Sequence, residues 1–140
     1  MRRILCSSVI LVTLMLGCSD PGSKLRGGAV ATPKWDALEK LTSKDLLYPI
    51  EMSAMRNDWK GVKAAVTKPE FKAAVDAFAT AEIPSEFATD ARKSAKEEAV
   101  KHYRALIKEA EGKGSSKVLK AEYEAAKKSI AEVQKPDTGK

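Results

Sequence analysis

The chain has 140 residues, 44% of them hydrophobic, and a formal net charge of +6. That length allows one domain with a packed core once any targeting segment is set aside. Glycines and prolines are too few for a disordered polymer, and no basic cluster carries interleaved aromatics, which argues against nucleic-acid binding.

Met1-Arg2-Arg3 is a short positive start, and Ile4 to Leu16 follows as a mainly apolar run. A helix needs about 20 residues to cross a bilayer core, so this run is too short to span. Pro21-Gly22 follows it closely. A charged start, a short apolar centre and a small residue at its end predict a secretory signal peptide over residues 1–17. Cleavage there removes Arg2, Arg3 and Cys6. It leaves 23 basic against 19 acidic residues and a single cysteine, Cys18. A lone cysteine in an exported chain has no intramolecular partner.

Leu14-Met15-Leu16-Gly17-Cys18 resembles the lipobox of bacterial lipoproteins, with Met15 where leucine is more usual. The resemblance implies cleavage between Gly17 and Cys18, a diacylglyceryl group on the Cys18 thiol, and acylation of the new amine, with palmitate among the expected chains. It also implies a place: the bacterial cell envelope, with the protein lipid-anchored to a membrane and facing the periplasm or the exterior. Ser19 stands directly after the cysteine, where aspartate would tend to hold a lipoprotein at the inner membrane, so the outer membrane is favoured in a Gram-negative source. Two other readings of the same residues are a plain signal peptide with Cys18 unused, and an uncleaved anchor.

Residues 18–33 hold two prolines, three glycines and no periodicity, the marks of a flexible tether behind the lipidated cysteine. Helical spacing begins at Lys34. Trp35, Leu38 and Leu41 start it, and Leu46-Leu47-Tyr48-Pro49 reads as an interruption. Ile50, Met55, Trp59, Val62 and Val66 predict a second helix, broken near Asn57-Asp58. Thr67, Pro69 and Glu70 have capping-box spacing with Thr67 as the cap. Phe71, Ala74, Val75, Phe78 and Ala81 then form an i, i+3, i+4, i+7 stripe. Pro84-Ser85 separates it from a long helix with Phe87, Ala91, Ala95, Ala99, Tyr103, Leu106, Ile107 and Ala110 on one face. Gly112 to Ser116 breaks that helix, with serine ready to cap the next. Leu119, Tyr123, Ala126, Ile130 and Val133 make the last stripe.

Abundant Ala, Lys and Glu cost little entropy in helices. The fold expected is therefore all-α, an up-down antiparallel bundle of about four helices over residues 34–135, with 136–140 as a disordered tail. Surface i,i+4 pairs are expected for Glu97 with Lys101 and for Glu124 with Lys128.

Candidate chemistry is sparse. His102 is the single histidine, with Glu98 one turn before it. A carboxylate–histidine dyad lacks an evident nucleophile, and one histidine without a second cysteine cannot build a structural zinc site. A boundary histidine beside an acid is the ordinary reading. Gly112-Lys113-Gly114-Ser115-Ser116 fails phosphate-loop spacing and reads as a helix stop. Met52 and Met55 offer soft ligands for haem iron or copper. Methionines at helical spacing usually fill a core, and Trp35, Tyr48, Trp59 and Tyr103 fall on apolar stripes in the same way.

The layout is reminiscent of periplasmic four-helix bundles of the cytochrome b562 and cytochrome c′ type. The shared points are an early helix bearing Met52 and Met55, a capped shorter helix, a crossover at Pro84, and a last helix after Ala110-Glu111-Gly112-Lys113. Those proteins take a haem-ligating histidine from the last helix, where this chain has neither histidine nor cysteine, and His102 lies one helix too early. The leading expectation is a non-enzymatic, lipid-anchored bundle that binds or scaffolds an envelope protein or a cell-wall polymer, with no cofactor. The alternative is a haem- or metal-binding redox bundle using His102 with Met52 or Met55.

Overall fold

A computed structural model describes residues 34–135. The protein is all-α: among these residues there are six α-helices and one 3-10 turn. They are α1 (Asp36–Leu41), α2 (Lys44–Met55), α3 (Trp59–Val66), α4 (Pro69–Thr80), the turn Ser85–Phe87, α5 (Asp90–Glu111) and α6 (Ser116–Gln134). The expected signal peptide, the tether and the 136–140 tail lie outside the described residues.

Six helices replace the expected four because the chain breaks where local chemistry favours it. Leu46 to Pro49 is no interruption and sits inside α2. Pro49 removes one N–H in the second turn, while Ile50 is buried and Leu46 and Leu47 pack on the core, so tertiary burial outweighs the lost bond. The break falls instead at Thr42-Ser43, where the Thr42 hydroxyl donates back to the Leu38 carbonyl at 2.8 Å. Asn57-Asp58 does break the chain as expected. Asn57 takes φ +54°, a left-handed conformation that asparagine tolerates. Asp58 then caps α3 by accepting from the Gly61 N–H at 3.0 Å. A side chain at Gly61 would strike that carboxylate.

Thr67 does not cap α4. It ends α3, donating its hydroxyl to the Lys63 carbonyl at 2.8 Å. The N-cap of α4 is Lys68, with extended φ/ψ, because a residue before proline is driven out of the helical region. Thr89 caps α5 and Ser115 caps α6.

α4, α5 and α6 set the frame. α4 runs antiparallel along α5, marked by Lys72–Glu111 at one end and Arg104–Asp76 (3.0 Å) midway. At the other end the Lys96 ammonium donates to the Ala79 and Ala81 carbonyls. α6 returns antiparallel beside α5 in the most extensive helix pairing of the bundle. α3 packs on α5, with Trp59 edge-on to Tyr123 of α6. α2 pairs with α3, and α1 lies on α4.

Leu41, Ile50, Val62, Val66, Phe71, Phe78, Leu106 and Leu119 form the fully enclosed centre. Trp35 is buried just before α1. It packs on Phe78 (ring centroids 5.4 Å apart) and stacks on Phe87 (6.2 Å). Its indole N–H is buried without an acceptor among the described residues, so ring contact rather than a hydrogen bond holds it.

Candidate functional site

Cys18 and Gly17 lie outside the described residues. Of the remaining candidates, His102 has the most built surroundings. It projects from α5 into the seam with α6. Its Nδ1 is 2.7 Å from Glu122 Oε2, and its Nε2 is 3.4 Å from Glu98 Oε2. Glu98 follows from i,i+4 spacing on one helix. Glu122 comes from the facing helix, and no local pattern in the sequence announces it.

The ring is therefore engaged by a carboxylate on each nitrogen. Carboxylates only accept, so the ring satisfies both when both nitrogens carry protons. Glu98 is held below the usual carboxylate range, first by its hydrogen bonds from Lys101 (3.0 and 3.2 Å) and that ammonium's charge, and then by His102. The two acids address opposite ring nitrogens, and no group of three or more His, Cys, Asp or Glu able to hold a metal ion exists among the described residues. Neither nitrogen is left facing a hydroxyl. The arrangement is a clamp of two carboxylates on one ring, joining α5 to α6.

A hollow of about 370 Å³ runs beside this clamp, lined by Ala91, Ala95, Glu98, Ala125, Lys128 and Ser129 with further α5 and α6 residues. All its walls come from those two helices. α2 supplies none, so Met52 and Met55 do not share this space with His102. Met55 is 79% exposed and Met52 is half-buried; neither joins the core. The expectation that methionine fills the core fails here. Tyr48 fails it too, being 58% exposed. Trp35 and Tyr103 are core residues, and Trp59 packs against the core from its edge.

Two further hollows flank the frame. One, of about 470 Å³, has an apolar floor of Ala79, Ile83 and Val100 beneath Lys93, Lys96, Lys101 and Arg104. Its cations are already answered: Lys93 by Asp90, Lys101 by Glu98, Arg104 by Asp76, and Lys96 by backbone carbonyls. Partial burial pushes Lys96 below the usual lysine range. The other hollow, of about 450 Å³, brings Gly114 and Ser116 beside Asn57, Asp58, Trp59, Lys60 and Lys63. Gly114 is there for a close approach, since a Cβ would come within 2.5 Å of the Glu109 carbonyl oxygen. The Gly112–Ser116 segment is thus a helix stop and a cap, as its spacing indicates.

Sequence reasoning missed Arg92. It is 4% exposed, donates to the Lys135 carbonyl at 2.5 Å, and lies 5.2 Å over the Phe87 ring. It ties the 3-10 turn to the end of α6. A signal existed: positions 92, 96, 99, 103, 106 and 110 keep helical spacing, and two cations, Arg92 and Lys96, occupy its first two places. Ala91 was expected on that face and is exposed.

No protein-family model matches the chain, and neither the curated proteins nor the solved structures contain a significant match.

Proposed function

We propose that this chain is a lipid-anchored, extracytoplasmic helical bundle with a non-enzymatic binding or scaffolding role at the cell envelope, its partner an envelope protein or a cell-wall polymer. One observation carries the reading: a charged start and a short apolar run end at Gly17-Cys18, and the chain turns polar at once. Two or three acyl chains at about 0.8 kcal/mol per buried CH₂ hold a protein stably, where one chain does not. No described helix is long and apolar enough to cross a membrane, which is consistent with an anchor supplied by lipid. The engagement of both His102 nitrogens by carboxylates supports a role without catalysis.

Cys18→Ala tests the anchor. In the source cell or a bacterial host, the parent chain is expected in the membrane fraction, with an N-terminal Cys18 peptide heavier by a diacylglyceryl group and an acyl chain. The variant should lose the acylated peptide and shift in part or whole toward the soluble extracytoplasmic fraction. A variant that stays on the membrane as fully as the parent sinks the reading.

A further inference from the structure

Tyr48, Met55 and Val118 are the exposed large hydrophobic side chains among the described residues. Tyr48 and Met55 share one face of α2. With half-buried Met52 between them they follow i, i+4, i+7, which makes a single ridge roughly 10 Å long. Leu46, Leu47, Ile50 and Ala54 occupy the opposite side and meet the core. α2 thus has two apolar faces and uses only one of them inside the protein.

None of the three hollows described above is lined by Tyr48, Met52 or Met55. Exposed cations stand at the ridge's two ends, Lys44 and Arg56, and neither has an ion-pair partner among the described residues. The acids nearby are Asp45, which is exposed, and Glu51, which pairs with Lys127 at 3.5 Å.

We propose that this ridge seats in the headgroup region of an anionic bilayer and gives the protein a second, orienting contact with lipid; the proposal rests on the anchored reading above. A row of side chains standing out from a single helix seats in a soft lipid surface, whereas a protein partner would need a groove to match it. A tyrosine ring, apolar with a polar tip, suits headgroup depth, and thioethers adapt to irregular apolar surroundings. Lys44 and Arg56 complement anionic headgroups.

The test uses residues 18–140 with Cys18→Ser, which hold the whole described core, no leader and no acyl chain. This protein is floated with phosphatidylcholine vesicles containing, or lacking, about 30% phosphatidylglycerol. It should rise with the anionic vesicles. Met52→Asp with Met55→Asp should cut the bound fraction about ten-fold with the helical circular dichroism and melting midpoint retained, since neither side chain is in the core. Lys44→Gln with Arg56→Gln should remove the preference for anionic over neutral vesicles. A parent that does not float, a methionine variant that floats like the parent, or a charge variant that keeps the preference overturns the proposal. So does a methionine variant that binds vesicles normally and loses a cross-linked envelope protein, which assigns the ridge to a protein partner. None of these outcomes depends on acylation. The mass of the Cys18 peptide reads the anchor separately, so failure of the anchor and failure of the ridge are told apart.

Discussion

α2 and α5 use their apolar residues in opposite ways. α5 is half charged, and its larger apolar side chains Val100, Tyr103 and Leu106 are buried together with Ala99 and Ala110, with Ile107 half-buried against the core. α2 is richer in large apolar side chains and buries only Ile50 completely, leaving Tyr48 and Met55 mostly in water. Apolar content therefore does not decide burial; the angular position of a side chain relative to its neighbours does. α5 lies between α4, α3 and α6, so it has partners around most of its circumference. α2 is covered on one side.

The sharpest way to break this contrast is truncation. Phe78→Ala, beneath Trp35 and Lys96, should cost about 3–5 kcal/mol by denaturant unfolding, the range for a large buried aromatic. Met55→Ala should fall within about 0.5 kcal/mol of the parent. Comparable losses at the two sites would mean that α2 is covered on both faces.

Arg92 comes next. Arg92→Met should destabilise by about 1–3 kcal/mol, because the Lys135 carbonyl loses a charged donor and the Phe87 ring loses its cation. Arg92→Lys should not restore it fully, since an ammonium cannot reproduce the guanidinium's fan of donors. Equal stability of the lysine variant and the parent would reduce Arg92 to a spacer.

The smallest effect is confined to alkaline solution. Burial pushes the Tyr103 hydroxyl well above its ordinary value of 10.0. Below that value both folded and unfolded chains hold the proton. Above it the unfolded chain releases the proton first, so stability falls as pH rises. Tyr103→Phe should leave the melting midpoint at pH 7 nearly unchanged and flatten its decline between about pH 10 and 11.5. Tyr123→Phe should do less, because Tyr123 is only half-buried and the Lys127 charge opposes its upward shift. A Tyr103→Phe profile that overlays the parent throughout would show the phenol to be hydrated in the fold.

How much of this was legible follows the same division. The stripes of α4 and α6 were readable because their partners lie on one side: Phe71, Ala74, Val75 and Phe78 are buried, and so are Leu119, Ala126, Ile130 and Val133. Ser115 was readable as a cap because its geometry is local. Pro49 misled because a proline's local cost was outweighed by the burial of Ile50 and the packing of Leu46 and Leu47 on the core, a tertiary gain that no local rule carries. The surface charges misled in a smaller way. Lys101 pairs with Glu98 rather than Glu97, and Glu124 with Lys120 at 3.9 Å rather than Lys128. Exposed pairs of this kind differ by only tenths of a kcal/mol, too little for spacing to choose among them. At the candidate site, Glu98 beside His102 was legible from spacing. Glu122 was not, because it is brought there by the return of α6.

Trp35 has a mechanical consequence. It is the first buried side chain after the segment that would join the domain to Cys18. A pull on that segment enters the domain at an indole held between Phe78 and Phe87. Phe87 is in turn gripped by Arg92, which holds the end of α6. Tension would therefore be shared at once by α4, the 3-10 turn and both ends of the α5–α6 hairpin's open side, before it could unwind the short α1 that follows.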